Sequence, residues 1–289
     1  MLKKFIALLF FITFSLFAES RMPAIVPLSW LKSHLNDKNL VIVDVRDKDK
    51  YLKGHIKGAV NIPCNKELFA GKELKMPKLS HLQKIFSNAG IDDTKMVVSY
   101  DGGLFYFSSR LYWLLKVLGH KNEGILAVSY GNWKKGEIPV TTEVPKVKKV
   151  NFIPMLDSSQ IATKLEVLVS IGKKTIIDGR RHSDYLGITS SAKRYGHIPT
   201  AINFPSTLTY TKSVLGNKMK DWSKLKEVFK DVDKHKDIIL YCDDSAEAAM
   251  DGLILDKLGY HTKVYEGSWL EWGNDPSLPI ENPSKKKPL

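Results

Sequence analysis

The chain has 289 residues, 43% hydrophobic and 26% charged, a balance that excludes a disordered chain and leaves room for two domain-sized cores. Its formal net charge is +13, but the lysines are scattered apart from Lys285, Lys286 and Lys287. That pattern reads as a solvated basic surface and not as a nucleic-acid footprint. Two cysteines, Cys64 and Cys242, are too few for a disulfide framework, and neither sits among histidines at zinc-ligand spacing.

Residues 1–20 read as a signal peptide. Lys3 and Lys4 precede an apolar run from Phe5 to Phe17, and Ala18-Glu19-Ser20 offers small residues for cleavage. The run is short for a membrane span, so no transmembrane span is expected after cleavage; an uncleaved anchor is the alternative. The expected location is outside the cytoplasm, periplasmic if the source is bacterial.

The rest of the chain contains a domain-sized internal repeat. "VIVDVRDKDKYLKGHIKGAVNIP" from Val41 is matched by "TIIDGRRHSDYLGITSSAKRYGHIPTAINFP" from Thr175. Asp44 pairs with Asp178, Arg46 with Arg180, Tyr51 with Tyr185, and Gly54-His55-Ile56 with Gly196-His197-Ile198. Further on, "MVVSYDGG" matches "IILYCDDS", and "YGNWKKGEIPV" matches "EGSWLEWGNDPSLPI". Short apolar runs alternating with helical stretches predict an α/β fold, each half a mainly parallel sheet flanked by helices. The expected domains are 26–142 and 156–283, with a proline- and lysine-bearing linker over 143–155 and a basic tail over 284–289.

Cys242 ends the apolar run Ile238 to Tyr241 and precedes a polar loop and an alanine-rich helix start. Active loops of parallel α/β folds lie at such strand ends. Free N–H groups and the helix dipole at that place favour a thiolate or a sulfur-bound anion. The matching residue in the first half is Asp101, which cannot play that part.

The Asp-x-Arg strand end, the Gly-His-Ile-x-x-Ala-x-Asn-x-Pro segment and the closing Gly-x-Trp stretch resemble rhodanese domains. Two copies with cysteine only in the second resemble the tandem thiosulfate and 3-mercaptopyruvate sulfurtransferases. The resemblance implies a persulfide cycle at Cys242; the alternative is a non-catalytic sulfur-carrier or binding protein that kept the fold and whose acidic loop has lost turnover. In the cycle a small sulfur-containing donor loads Cys242, and a thiol or cyanide-like acceptor, or a protein sulfur acceptor, unloads it. It implies a catalytically silent first domain, and no cofactor or metal.

Features shared by both halves read as scaffold, because the first half lacks the nucleophile. Asp178 with Arg180, His197 and Trp269 fall in this class. Features unique to the second half are the site candidates. The loop Asp243, Asp244, Ser245, Ala246, Glu247 and Ala248 is expected to hold the terminal sulfur on its backbone amides. Arg181, His182, Lys193 and Arg194 are anion-binding candidates, the last two on an insertion over Gly187 to Tyr195. Cys64 reads as a bystander, with a Cys64–Cys242 bridge as the competitor. The loop acids leave two readings open. They cap the helix N-terminus, or they change the substrate charge that the site accepts.

Overall fold

The computed structural model describes residues 22–135 and 138–287; the expected signal peptide lies outside them. Among the described residues no helix is long and apolar enough to cross a membrane.

Each half builds one five-stranded parallel sheet. The first holds β1 (Ile25–Val26), β2 (Leu40–Asp44), β3 (Val60–Asn61), β4 (Met96–Tyr100) and β5 (Glu123–Leu126), in the order β1-β5-β4-β2-β3. The second holds β6 (Ile161–Ala162), β7 (Thr175–Asp178), β8 (Ile202–Asn203), β9 (Ile238–Tyr241) and β10 (Thr262–Tyr265), in the order β8-β7-β9-β10-β6. Counted from its own first strand, each sheet has the same order. The central strands are buried aliphatic runs, as Ile176-Ile177 and Ile238-Ile239-Leu240 show, because helices cover both faces.

The shared motifs build the same framework twice. Tyr100 and Tyr241 end the central strands and donate to Asp44 Oδ2 at 2.8 Å and Asp178 Oδ2 at 2.6 Å. Arg46 and Arg180 pair with the same aspartates at 2.5 and 2.6 Å, then donate to the Gly54 and Gly196 carbonyls at 2.7 and 2.8 Å. Trp133 and Trp269 lie against those guanidiniums at 5.3 and 4.4 Å. His55 and His197 each stack on a tyrosine and donate from Nδ1 to its carbonyl, at 2.9 and 2.7 Å. A buried, bidentate ion pair fixes each strand end in one geometry, and in the second half Arg180 Nη1 stays buried without a hydrogen-bond partner.

The domains meet along two equivalent helices, α1 (Tyr106–Val117) and α2 (Ala246–Lys257). One apolar cluster runs through both, from Leu111, Leu114 and Val117 to Met250, Leu253 and Ile254. At roughly 1.5–3 kcal/mol per buried side chain, this contact holds the halves as one body. Each helix begins just after the strand end that carries Asp101 or Cys242, so the interface also sets where those two loops lie.

Candidate active site

Cys242 follows β9 directly and is fully buried. Its backbone is pinned from behind by helix α3 (Ser268–Trp272). Trp269 N–H donates to the Cys242 carbonyl at 2.9 Å, Leu270 N–H to the Asp243 carbonyl at 3.1 Å, and Cys242 N–H to Ser268 Oγ at 3.3 Å. Ser245 then takes a left-handed φ of +73° and turns the chain into α2. That turn directs the Ala248 N–H to the Cys242 sulfur.

The first half shows what this turn can hold. Phe105 takes the matching left-handed φ of +67° before α1. Asp101 stands at the cysteine's place, and its carboxylate accepts N–H bonds from Gly103 at 2.6 Å, Phe105 at 3.1 Å and Ser108 at 3.3 Å. Ser108 and Ala248 are each the third residue after the left-handed one. The loop therefore aims several N–H groups at one acceptor, and in the first half a side chain of the protein fills that place.

The acids of the second loop have distinct partners. Asp243 accepts from Ser191 Oγ on the insertion. Asp244 Oδ1 accepts from Ala246 N–H at 3.1 Å and stands 3.8 Å from Cys242 Sγ. Glu247 accepts from Ser206 Oγ at 3.2 Å. Asp244 thus caps the turn and faces the thiol together, so the two sequence readings are not exclusive. Burial pushes the Cys242 thiol well above its ordinary value; Asp244 and Glu247 add to this, and the Ala248 N–H opposes it. Burial, with Asp243 and Asp244, pushes the Glu247 carboxyl up to about 8.

The four basic candidates are dispersed in role. Arg181 has a 77% exposed side chain, 3.6 Å from Asp184. His182 is exposed, with Nδ1 3.1 Å from Asn203 Oδ1, and Lys193 is exposed, with its N–H bonded to Asn274 Oδ1 at 2.9 Å. Arg194 corrects the sequence reading. Its guanidinium donates to the carbonyls of Trp272 at 2.6 Å, Leu278 at 2.7 Å and Gly273 at 3.2 Å, so its donors serve the fold and not an anion. The insertion reaches the site through hydroxyls instead. Ser191 meets Asp243, and Ser190 Oγ accepts from Trp269 Nε1 at 2.9 Å.

Two residues absent from the sequence candidates matter here. Arg110, on α1 of the first domain, is fully buried and donates to Ser245 Oγ at 2.6 Å and to the Leu68 carbonyl at 3.3 Å. Its guanidinium lies over Phe69 and Trp113 and 3.5 Å from Glu266. Asp251 is fully buried on α2, one turn beyond Glu247, with neither carboxyl oxygen bonded. Burial pushes its carboxyl well above the usual range. Cys64 and Cys242 are both free thiols, so the competing bridge is not formed. Among the described residues no group of three or more His, Cys, Asp or Glu side chains is arranged to hold a metal.

Comparison with known proteins gives a consistent picture. The family model for the rhodanese-like domain matches twice, over residues 27–136 and 162–275. The sulfur carrier protein TtuD of Thermus thermophilus is 29% identical over 277 residues, covering 89% of this chain and 95% of its own length. A thiosulfate sulfurtransferase of Corynebacterium glutamicum is 28% identical over 292 residues, covering 95% of this chain and 96% of its own. The crystal structure of SseA from Escherichia coli, a 3-mercaptopyruvate sulfotransferase, superposes with a TM-score of 0.75 at 24% identity, covering 86% of this chain and 99% of that one.

Proposed function

Since the chain belongs to the rhodanese-like domain family and is a sulfurtransferase, we propose that Cys242 carries its sulfur as a persulfide. The donor class is a small molecule bearing sulfane sulfur, such as thiosulfate, mercaptopyruvate or polysulfide. The acceptor is a thiol, cyanide or a protein sulfur acceptor. The observation that carries this reading is the Asp101 carboxylate. In the first half its carboxyl fills the loop as the acceptor of three N–H groups. In the second half the same turn has a cysteine, so the anion it would hold is the terminal sulfur of Cys242. Arg181, His182 and Lys193 are the side chains left to guide an anionic donor towards the mouth. The loop acids set a limit on that donor, because those of them that are ionised repel a multiply charged anion, and Glu247, raised to about 8, joins them only as the pH rises.

The leader at residues 1–20 supports an exported enzyme, working where free thiols are scarce. The test of the reading is the intact mass of the protein before and after incubation with each donor. We expect a gain of one sulfur atom, lost in Cys242→Ser and discharged by an added thiol. No gain with any donor overturns the reading.

A further inference from the structure

We propose that Asp244 is the catalytic base that takes the proton from Cys242. The inference rests on the sulfur-carrying role of Cys242 given above. A fully buried thiol needs a proton acceptor inside the protein before it can attack. The carboxylate oxygen that faces Sγ is Asp244 Oδ1, at 3.8 Å. The Ala246 N–H, 3.1 Å from the same oxygen, holds it in place. The charged and titratable groups around Asp244 come from four elements. Asp243 and Cys242 share its loop, Glu247 lies on α2, Tyr106 and Arg110 lie on α1, and Cys64 lies on the short helix Cys64–Glu67 of the first domain. Arg110 is the cation of the set, and it offsets part of the carboxylate charge around the thiol.

The step conserves charge and electrons. Cys242 gives its proton to Asp244, so the negative charge passes from oxygen to sulfur. The thiolate attacks the outer sulfur of thiosulfate, a new S–S bond forms, the old one breaks, and sulfite leaves with the electron pair. In the return step an acceptor thiolate takes the terminal sulfur. The electron pair of the breaking S–S bond returns to Sγ, which recovers its proton from Asp244. Nothing is oxidised or reduced over the cycle except by movement of the sulfane sulfur itself.

The same residue has two effects of opposite sign, and this makes the inference testable. As a bare charge, Asp244 raises the thiol and repels an anionic donor, so Asp244→Asn would speed loading. As the base, it enables attack, so Asp244→Asn slows loading. Asn keeps an amide oxygen for the Ala246 N–H and loses both the charge and the proton acceptor, so the sign of the change in rate shows which of the two effects dominates. We expect sulfur loading from thiosulfate, followed by intact mass at neutral pH, to slow about 100-fold in Asp244→Asn. Asp244→Ala is expected to slow as much and to recover in part with added formate, which fits the space of the lost carboxylate. Loading of Asp244→Asn at or above the wild-type rate overturns the inference while leaving the Cys242 reading intact. If the Asn variant does not fold, the formate response decides, and its absence in Asp244→Ala overturns the inference. Failure of the wild-type protein to load with any donor overturns both.

Discussion

Arg110 and Ser245 belong to different domains, and their side chains meet at 2.6 Å inside the interface. Ser245 is the left-handed residue that turns the cysteine loop into α2. A buried guanidinium from the first domain therefore braces the turn from which α2 and the Ala248 N–H approach Cys242. The first domain reaches the cysteine loop through this contact, beyond covering a face of its neighbour.

Arg110→Met is expected to fill the space and lose the brace. The change leaves Ser245 Oγ without its donor and Glu266 without its cation. The loss of stability should be roughly 2–4 kcal/mol, because a buried charged hydrogen-bond donor is removed while its partners stay. Urea unfolding at neutral pH measures it. Sulfur loading at Cys242 should fall with it even under conditions where the variant is fully folded. A variant that loses stability and loads at the wild-type rate would separate the brace from the site.

The repeat made the scaffold legible and concealed this residue. The two parallel α/β halves, the Asp–Arg pairs and the matching of Asp101 with Cys242 all follow from motifs that recur in order; the strand order and the tyrosines that join each Asp–Arg pair do not. The same comparison assigns function only to residues unique to the second half. Arg110 occupies the place of Met250, five residues after each left-handed turn, so it is unique to the first half and was passed over. Arg194 failed for a different reason. A guanidinium in a loop reads as free charge in a sequence, and only the folded chain brings three carbonyls to it. Asp243, Asp244 and Glu247 were visible as acids near a thiol. Their separate partners depend on which way each carboxylate turns, and sequence spacing does not specify that.

Glu247 should leave a signature in the pH dependence of stability. Its carboxyl moves from an unfolded value near 4.5 up to about 8 in the folded chain. A raised folded value means that the native state binds the proton more tightly. Its contribution to stability is therefore complete below about pH 4.5 and is lost as the pH rises through 8. Each pH unit in that window is worth at most about 1.36 kcal/mol, and the partial exposure of Glu247 reduces it. Glu247→Gln is expected to flatten the decline and to be more stable than the wild type at pH 8 by roughly 2–3 kcal/mol. Urea unfolding at pH 5, 6.5 and 8 checks this. Parallel curves for the two proteins would mean that Glu247 is solvated in the native state. Asp243 and Asp251 are raised in the same direction, so some slope should remain in the variant.

Asp101→Asn tests the observation on which the reading of Cys242 stands. The Asp101 carboxylate accepts from Gly103, Phe105 and Ser108. Burial holds its carboxyl above the ordinary range, against the opposing pull of those three N–H groups and the Ser108 hydroxyl. Asn has almost the same shape, but one of its two positions becomes a donor facing N–H groups that are themselves donors. If the loop favours an anion, the exchange should cost roughly 1.5–3 kcal/mol at pH 8, the range for hydrogen bonds to a charged acceptor. Guanidinium unfolding of the variant against the wild type gives the difference. A cost below about 0.5 kcal/mol would mean that the turn after the strand end does not prefer an anion in the first half. The equivalent turn after Cys242, which also carries Asp243 and Asp244, would then have no claim to hold a persulfide. A cost within the expected range would mean that the three N–H groups, with the Ser108 hydroxyl that donates to Oδ2 at 3.3 Å, supply the stabilisation.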